Sequence, residues 1–300
     1  MKTYFLFLAL MLGLHTSASA KVNVVATTPD LGAIIEAVGG TDVEVTCLAR
    51  GTEDPHFVDA RPSFIRLLNK TELLVEGGAD LEIGWLPPLV NNARNARILP
   101  GASGRFVAAE NLALMEVPTG KLDRSQGDVH PYGNPHYLLD PELACQVADA
   151  LATRLSRLDP ERVGNYRKRA ESFVTTLRKK NTLWKKRLTP YCGTRVVTYH
   201  KSFDYFLKAF GLELAGTVEP KPGVEPSAAH LKSLVAGMKT GGVRLVIAEP
   251  NRPARICQRV AREGDARLLR LPLLVGGATG CDDYFGLMEH NVAAIERALR

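Results

Sequence analysis

The sequence has few cysteines, and none of them forms a local metal-binding or redox motif. Five occur among its 300 residues, and no two make a C-x-x-C pair. Their odd number leaves at least one thiol unpaired or in an intermolecular bond, and the spacing does not identify a pair. Zinc binding by clustered thiolates is therefore not encoded locally. The cysteines are Cys47, Cys145, Cys192, Cys257 and Cys281.

The composition also lacks the bias that marks unusual classes of protein. Apolar residues make up 45% of the chain and charged residues 23%, with 26 glycines and 18 prolines. These values exclude collagen-like, low-complexity, disordered and polytopic membrane proteins. The chain is long enough for two domains, each with its own core.

Residues 1–20 have the pattern of a secretory signal peptide. Lys2 supplies a positive charge, residues 4–14 are apolar but too short to cross ~30 Å of hydrocarbon, and Ala18-Ser19-Ala20 resembles a cleavage site. No cysteine follows that site. We therefore expect a mature chain that begins near Lys21, without a lipid anchor, in the periplasm.

The formal charge of +6 does not indicate a nucleic-acid partner. Basic residues are dense only at 167–169 and 179–187, and both stretches lie on one helical pattern. A solvated helix face explains them better than a nucleic-acid surface.

Short β-branched stretches alternate with amphipathic ones in both halves of the chain. In the first half we predict strands at 22–27, 43–48 and 72–75, and helices at 30–38, 62–69 and 83–92. We expect Asp30 to cap the first of these helices and Pro87-Pro88 to break or bend the third. In the second half we predict strands at 194–198, 213–218, 244–249 and 268–271, and helices at 202–210, 227–239, 254–263 and 283–299. This alternation favours parallel sheets that are covered on both faces.

Two Asp-Pro-Glu sequences, at Asp140 and Asp159, are typical of helix starts. The second begins an apolar stripe that reaches Leu188, a helix of ~42 Å. We predict an α/β fold of two doubly wound lobes, residues 21–158 and 190–300, joined by a long rigid helix over 159–189. A ligand would bind in the cleft between the lobes, at the carboxyl ends of the strands.

Three histidines lie where this architecture predicts a ligand. His56 follows a predicted strand, His136 precedes a helix, and His200 ends the first strand of the second lobe. Near the C terminus, Asp282 offers a carboxylate. Three neutral imidazoles and one carboxylate suit Zn²⁺ in a tetrahedral site, so we predict a zinc site on these four side chains, two from each lobe.

The remaining histidines of the mature chain are weaker candidates. We expect His230 on the exposed side of a helix and His290 to be packed or solvated in the terminal helix. His130 lies in a loop bracketed by glycines, and two interpretations stay open for it. It has no metal role, or it captures a metal transiently before His136 binds it.

Six segments carry a resemblance to a known family. In chain order they are VVATT at 24–28, DPH at 54–56, NPHYLLDP at 134–141, TYHKSFDYF at 198–206, EPS at 225–227 and DDYFGLMEHN at 282–291. The set spans nearly the whole mature chain and resembles the metal-specific solute-binding proteins of bacterial ABC importers.

This resemblance implies two lobes bridged by a rigid helix, with the ion held between them by His56, His136, His200 and Asp282. Asp283 is the alternative carboxylate. A histidine at the third ligand position looks like the zinc-binding members, whereas a glutamate would look like the manganese ones. The resemblance thus implies a monomeric, non-enzymatic protein that delivers Zn²⁺, rather than Mn²⁺, to a permease driven by an ATPase.

Other functions would use the same residues. A secreted zinc hydrolase would need a general base, for which Glu219 and Glu249 are candidates, although no H-E-x-x-H motif occurs. A periplasmic metallochaperone or adhesin-like binding protein would need no transporter.

Overall fold

A computed structural model describes residues 20–120 and 130–300. The predicted signal peptide lies outside the described residues except for Ala20, and it stays a prediction. In the described part of the chain, no helix combines the length and the apolar character needed to cross a membrane.

The first half of the chain forms a parallel four-stranded sheet with strand order β2-β1-β3-β4. Its elements are β1 (Val22–Ala26), α1 (Pro29–Gly39), β2 (Val43–Cys47), α2 (Pro62–Lys70), β3 (Leu73–Glu76), α3 (Leu86–Ala93), β4 (Arg105–Val107) and α4 (Pro141–Leu158). Strand β4 was not predicted, because a strand of three residues is too short to show a periodic pattern.

The second half repeats this arrangement, with strand order β6-β5-β7-β8 in a second parallel sheet. Its elements are β5 (Arg195–Thr198), α6 (Asp204–Phe210), β6 (Glu213–Thr217), α7 (Ala228–Thr240), β7 (Leu245–Ala248), α8 (Ala254–Glu263), β8 (Arg267–Arg270) and α9 (Tyr284–Leu299). The predicted fold of two parallel α/β lobes is confirmed.

The long helix α5 (Val163–Leu188) connects the two lobes through a shared core. Phe173 and Trp184 of α5 are buried in a cluster that contains residues of both sheets. On the N-terminal side, Arg169 pairs with Asp42 at 2.7 Å. On the C-terminal side, the Trp184 indole donates to Glu289 of α9 at 2.8 Å. The helix therefore fixes the base of both lobes and leaves their strand ends facing each other.

Three local expectations about helix starts were wrong. Asp30 does not precede α1 but lies buried in its first turn, where burial raises the pKa of its carboxyl to about 6. Pro87 does not break α3 but lies in its first turn, where a missing N–H costs nothing. Asp159 accepts hydrogen bonds from Arg162 and Tyr166 instead of capping α5.

The basic stretches of α5 behave as a helix face with local ion pairs. Besides the Arg169 pair, Arg187 contacts Glu289 at 2.6 Å and Glu296 at 2.8 Å. All five cysteines, which lie within the described ranges, are free thiols.

Candidate metal centre

The same local turn presents two of the predicted ligands. Asp54-Pro55-His56 and Asn134-Pro135-His136 each form a turn in which the first side chain accepts the backbone N–H of the histidine, at 3.0 Å in both cases. Asn and Asp form such turns readily, and the proline holds the residue before it in an extended conformation. This chemistry is local, so the sequence specifies how each ring leaves its loop.

Other contacts fix these turns to the first lobe and to the second. The Trp85 indole donates to the carbonyl of Pro55 at 2.9 Å. The Tyr205 hydroxyl donates to the carbonyl of Asn134 and accepts the N–H of Met115, both at 2.8 Å. Tyr205 belongs to the second lobe, so it ties the His136 loop across the cleft.

The third predicted ligand comes from the carboxyl end of a central strand. His200 is the second residue after β5, separated from it by Tyr199, and is 7% exposed. A short 3₁₀ turn over Lys201–Phe203 then leads into α6. Because β5 ends at the edge that faces the first lobe, His200 points towards His56 and His136.

The three rings meet in the cleft. One potential ligand atom from each of His56, His136 and His200 lies within 4.8 Å of the others. The ring centroids are separated by 5.1 Å (His56–His136), 5.7 Å (His56–His200) and 5.6 Å (His136–His200). Nitrogen ligands of a tetrahedral zinc ion are about 3.3 Å apart, so only small ring movements are needed to bind one.

The predicted carboxylate does not join this group. Among the described residues, Asp282 lies outside the set of converging ligand atoms, and its side chain is exposed. The backbone carbonyl of Cys281 accepts from Gly276, and the Asp283 carboxylate caps α9 through the N–H of Gly286 at 2.7 Å. This turn buries Cys281 and directs Asp282 to solvent, so neither aspartate is placed as a ligand here.

Two of the histidines are oriented by carboxylates. His56 Nδ1 donates to Asp54 Oδ1 at 2.8 Å, and His200 Nδ1 donates to Glu219 Oε2 at 2.7 Å. Such a bond fixes the tautomer, leaves the lone pair on Nε2 and raises the basicity of the ring as a ligand. The second oxygen of Glu219 accepts the N–H of Gly223 at 2.7 Å.

A chain of charges links the His56 turn to the second lobe. Arg252 lies 3.2 Å from Asp54 and 3.3 Å from Glu249, and its guanidinium stacks over the Tyr199 ring. Burial raises the pKa of Asp54, but hydrogen bonds and charges from His56 and Arg252 outweigh it and lower the value to about 2. Asp54 is therefore ionised at neutral pH and able to orient His56.

His136 is the most deeply buried ligand candidate. It is 6% exposed, and its Nε2 has no hydrogen-bond partner. Burial and the neighbouring histidines lower the pKa of its imidazole well below the usual value. A neutral ring with a buried, unpartnered nitrogen is suited to bind a cation.

The helical histidines have other roles. His230 of α7 hydrogen-bonds the carbonyl of Thr217 at 3.0 Å, which explains its partial burial. His290 lies in α9 and belongs to no converging group in the part of the chain that the structure describes.

Comparison with known proteins identifies the family. Residues 24–298 match the family model described as "ZnuA: Zinc-uptake complex component A periplasmic". The chain belongs to this family. Its members are extracytoplasmic substrate-binding proteins of metal ABC transporters. They partner with a permease and an ATPase, and they are not enzymes. The expectation of a metal-importer binding protein is thus confirmed at this level.

Individual relatives differ in the metal they are named for. The manganese ABC transporter substrate-binding lipoprotein PsaA of Streptococcus pneumoniae is 24% identical over 311 residues, which cover 98% of this chain and 96% of PsaA. A crystal structure of ZnuA superposes with a TM-score of 0.77 at 23% identity, covering 93% of this chain and 100% of that one. The SBP FpvC from Pseudomonas aeruginosa in complex with Mn²⁺ gives the same TM-score and identity, covering 93% and 98%. The structures share the fold.

Sequence reasoning missed the residues that support the ligands. The sequence suggests Glu219 only as a candidate hydrolase base, and no local pattern predicts the contact of Arg252 with Asp54. Glu219 follows a strand next to β5, a position that places it beside His200. A register of parallel strands drawn from the sequence would have indicated this proximity.

We expect loss of Glu219 to weaken metal binding through His200. Glu219→Ala removes the acceptor of the Nδ1 proton, and outer-shell losses of this kind cost about 10–100-fold in affinity. Glu219→Gln should lose less affinity for the metal, because its amide carbonyl can still accept the Nδ1 proton. Competition titration with a chromophoric chelator measures both, with the exposed neighbour Glu225→Gln as control. Unchanged affinity in Glu219→Ala would contradict this role.

We expect loss of Arg252 to destabilise the protein because it leaves Glu249, which is 2% exposed, without a cationic partner. Removing one member of a buried ion pair costs about 3–5 kcal/mol, so we expect a loss of this order in the free energy of unfolding of Arg252→Met. Adding Glu249→Gln to Arg252→Met removes the uncompensated charge, so the double variant should recover part of the lost free energy of unfolding. Urea unfolding gives the free energy of unfolding of the wild type, the two single variants and the double variant. If the losses of the two single variants simply add in the double variant, Arg252 and Glu249 are not coupled.

Proposed function

We propose that this protein captures Zn²⁺ with high affinity in the periplasm and delivers it to the permease of an ABC importer. The observation that carries the proposal is the convergence of His56, His136 and His200, whose ligand atoms lie within 4.8 Å of one another. The location follows from the predicted signal peptide, and the zinc assignment from the chemistry of the ligands.

The choice of zinc over manganese rests on the donor atoms. All three converging groups are imidazoles, and the carboxylates beside them, Asp54 and Glu219, are engaged as hydrogen-bond acceptors of the rings. Imidazole suits Zn²⁺, whereas Mn²⁺ prefers oxygen donors and lies lowest in the order of affinities for such sites. Relatives named for manganese therefore do not set the metal of this chain.

The division of ligands between the lobes supports a capture-and-release mechanism. His56 and His136 belong to the first lobe and His200 to the second, so a bound ion cross-links them. A permease that separates the lobes would remove His200 from the other two and weaken the site. Protons weaken the site further, because they compete with the ion for the imidazole nitrogens, which must be neutral to bind it.

The alternative functions fit the site less well. The hydrolase interpretation is excluded by family membership, and both candidate bases are occupied. Glu249 accepts a hydrogen bond from Ser202 and pairs with Arg252, and Glu219 is bound to His200. A transporter-independent metallochaperone would use the same ligands, and growth of a deletion strain under zinc limitation separates it from an importer component.

Metal competition tests the proposal directly. Protein stripped with a chelator is titrated with Zn²⁺ and with Mn²⁺ against an indicator of known affinity. We expect 1:1 zinc binding at least about 100-fold tighter than manganese binding, as the order of divalent affinities favours zinc. Absence of zinc binding, or tighter binding of manganese, would refute the proposal. The triple variant His56→Ala, His136→Ala, His200→Ala is the negative control.

A further inference from the structure

His130 lies against the three-histidine group although it was not among the predicted ligands. Its Nε2 is 3.1 Å from Nε2 of His56, and the two ring centroids are 5.1 Å apart. It also lines a cavity together with His136 and His200. The ring therefore lies inside the cleft, in contact with His56 and on the wall of the same cavity as His136 and His200.

The hydrogen bonds around the two rings leave no proton for this 3.1 Å contact. A neutral imidazole carries one ring proton. His56 donates its proton from Nδ1 to Asp54, and the His130 ring hydrogen-bonds the backbone of Ala79. Two nitrogen lone pairs thus face each other, an arrangement that a cation between them would stabilise.

The distance is that of two ligands on one ion. Zinc–nitrogen bonds of ~2.0–2.1 Å in a tetrahedron place neighbouring nitrogens about 3.3 Å apart. The His56–His130 separation of 3.1 Å is close to such an edge. The ligand atoms that converge within 4.8 Å of one another are those of His56, His136 and His200, so His130, which touches His56, would move closer to the other two rings when it shares an ion with them.

We infer that His130 is the fourth protein ligand, and that it takes the position the family resemblance gave to Asp282. This inference rests on the proposed zinc function and completes its ligand set. A site of four neutral imidazoles keeps the full double charge of the ion. Asp54 and Glu219, hydrogen-bonded to His56 and His200, then balance that charge from the second layer.

X-ray absorption at the zinc edge counts imidazole ligands and tests this assignment. We expect four in the zinc-loaded wild-type protein, three in His130→Ala, and four in Asp282→Asn. The affinity of His130→Ala for Zn²⁺ should fall at least about 10-fold, with faster release to a chelator. Tyr132→Ala, an exposed residue of the same loop, controls for changes to the loop itself.

The outcomes separate this inference from the proposed function. Three imidazoles in both the wild type and His130→Ala, with equal affinities, would overturn the role of His130 and leave the three-histidine zinc site standing. A carboxylate ligand that disappears in Asp282→Asn would overturn it as well. If the wild-type protein binds no zinc, both the proposed function and the inference fail.

Discussion

Replacing His136 by leucine is expected to abolish tight zinc binding while the metal-free protein stays about as stable as the wild type. The ring is 6% exposed and its Nε2 has no partner, so the metal-free protein already bears an unsatisfied buried nitrogen. Leucine is of similar volume and has no polar atom. The lost packing and the removed polar penalty, each about 1–3 kcal/mol, therefore offset one another.

The affinity loss should exceed the roughly 10–100-fold that removal of an outer-shell partner costs, because a ligand itself is lost. Competition titration gives the affinity, and urea unfolding of the chelator-treated protein gives the free energy of unfolding. His290→Leu, in α9, controls for histidine replacement outside the cleft. Tight binding by His136→Leu would show that this ring is not a ligand.

Zinc is expected to raise the melting temperature by about 8–16 °C. At a free concentration of 1,000 times Kd, a ligand that binds only the folded state adds about 4 kcal/mol to the free energy of unfolding. In a chain of this size each kcal/mol moves the melting temperature by about 2–4 °C. The increase should shrink as the pH falls, because protons compete with zinc for the imidazole nitrogens.

Differential scanning calorimetry with and without zinc measures this increase, and the triple histidine-to-alanine variant should show none. Manganese at the same concentration should give a smaller increase. A melting temperature that zinc leaves unchanged in the wild-type protein would contradict an ion held between the lobes.

Much of the fold could be predicted because its signals are local. Short β-branched strands, helix-starting prolines and the apolar stripe of α5 depend on neighbouring residues, and each was found near its observed place. The errors have local causes too. Strand β4 has only three residues, and Asp30 and Asp159 are engaged by burial or by side-chain partners rather than by helix caps.

The sequence by itself determined the two Asx-Pro-His turns, because an Asp or Asn side chain, a proline and the following N–H interact over three residues. It also placed His200 at the end of a parallel strand, which points to the cleft. Only the tertiary structure decided which side chains share that cleft. The approach of His130 to His56, the bond from His200 to Glu219, the Arg252 contact with Asp54 and the exposure of Asp282 all depend on how distant loops of two lobes meet. That meeting is set by the packing of both sheets on α5, a long-range arrangement that no local pattern encodes.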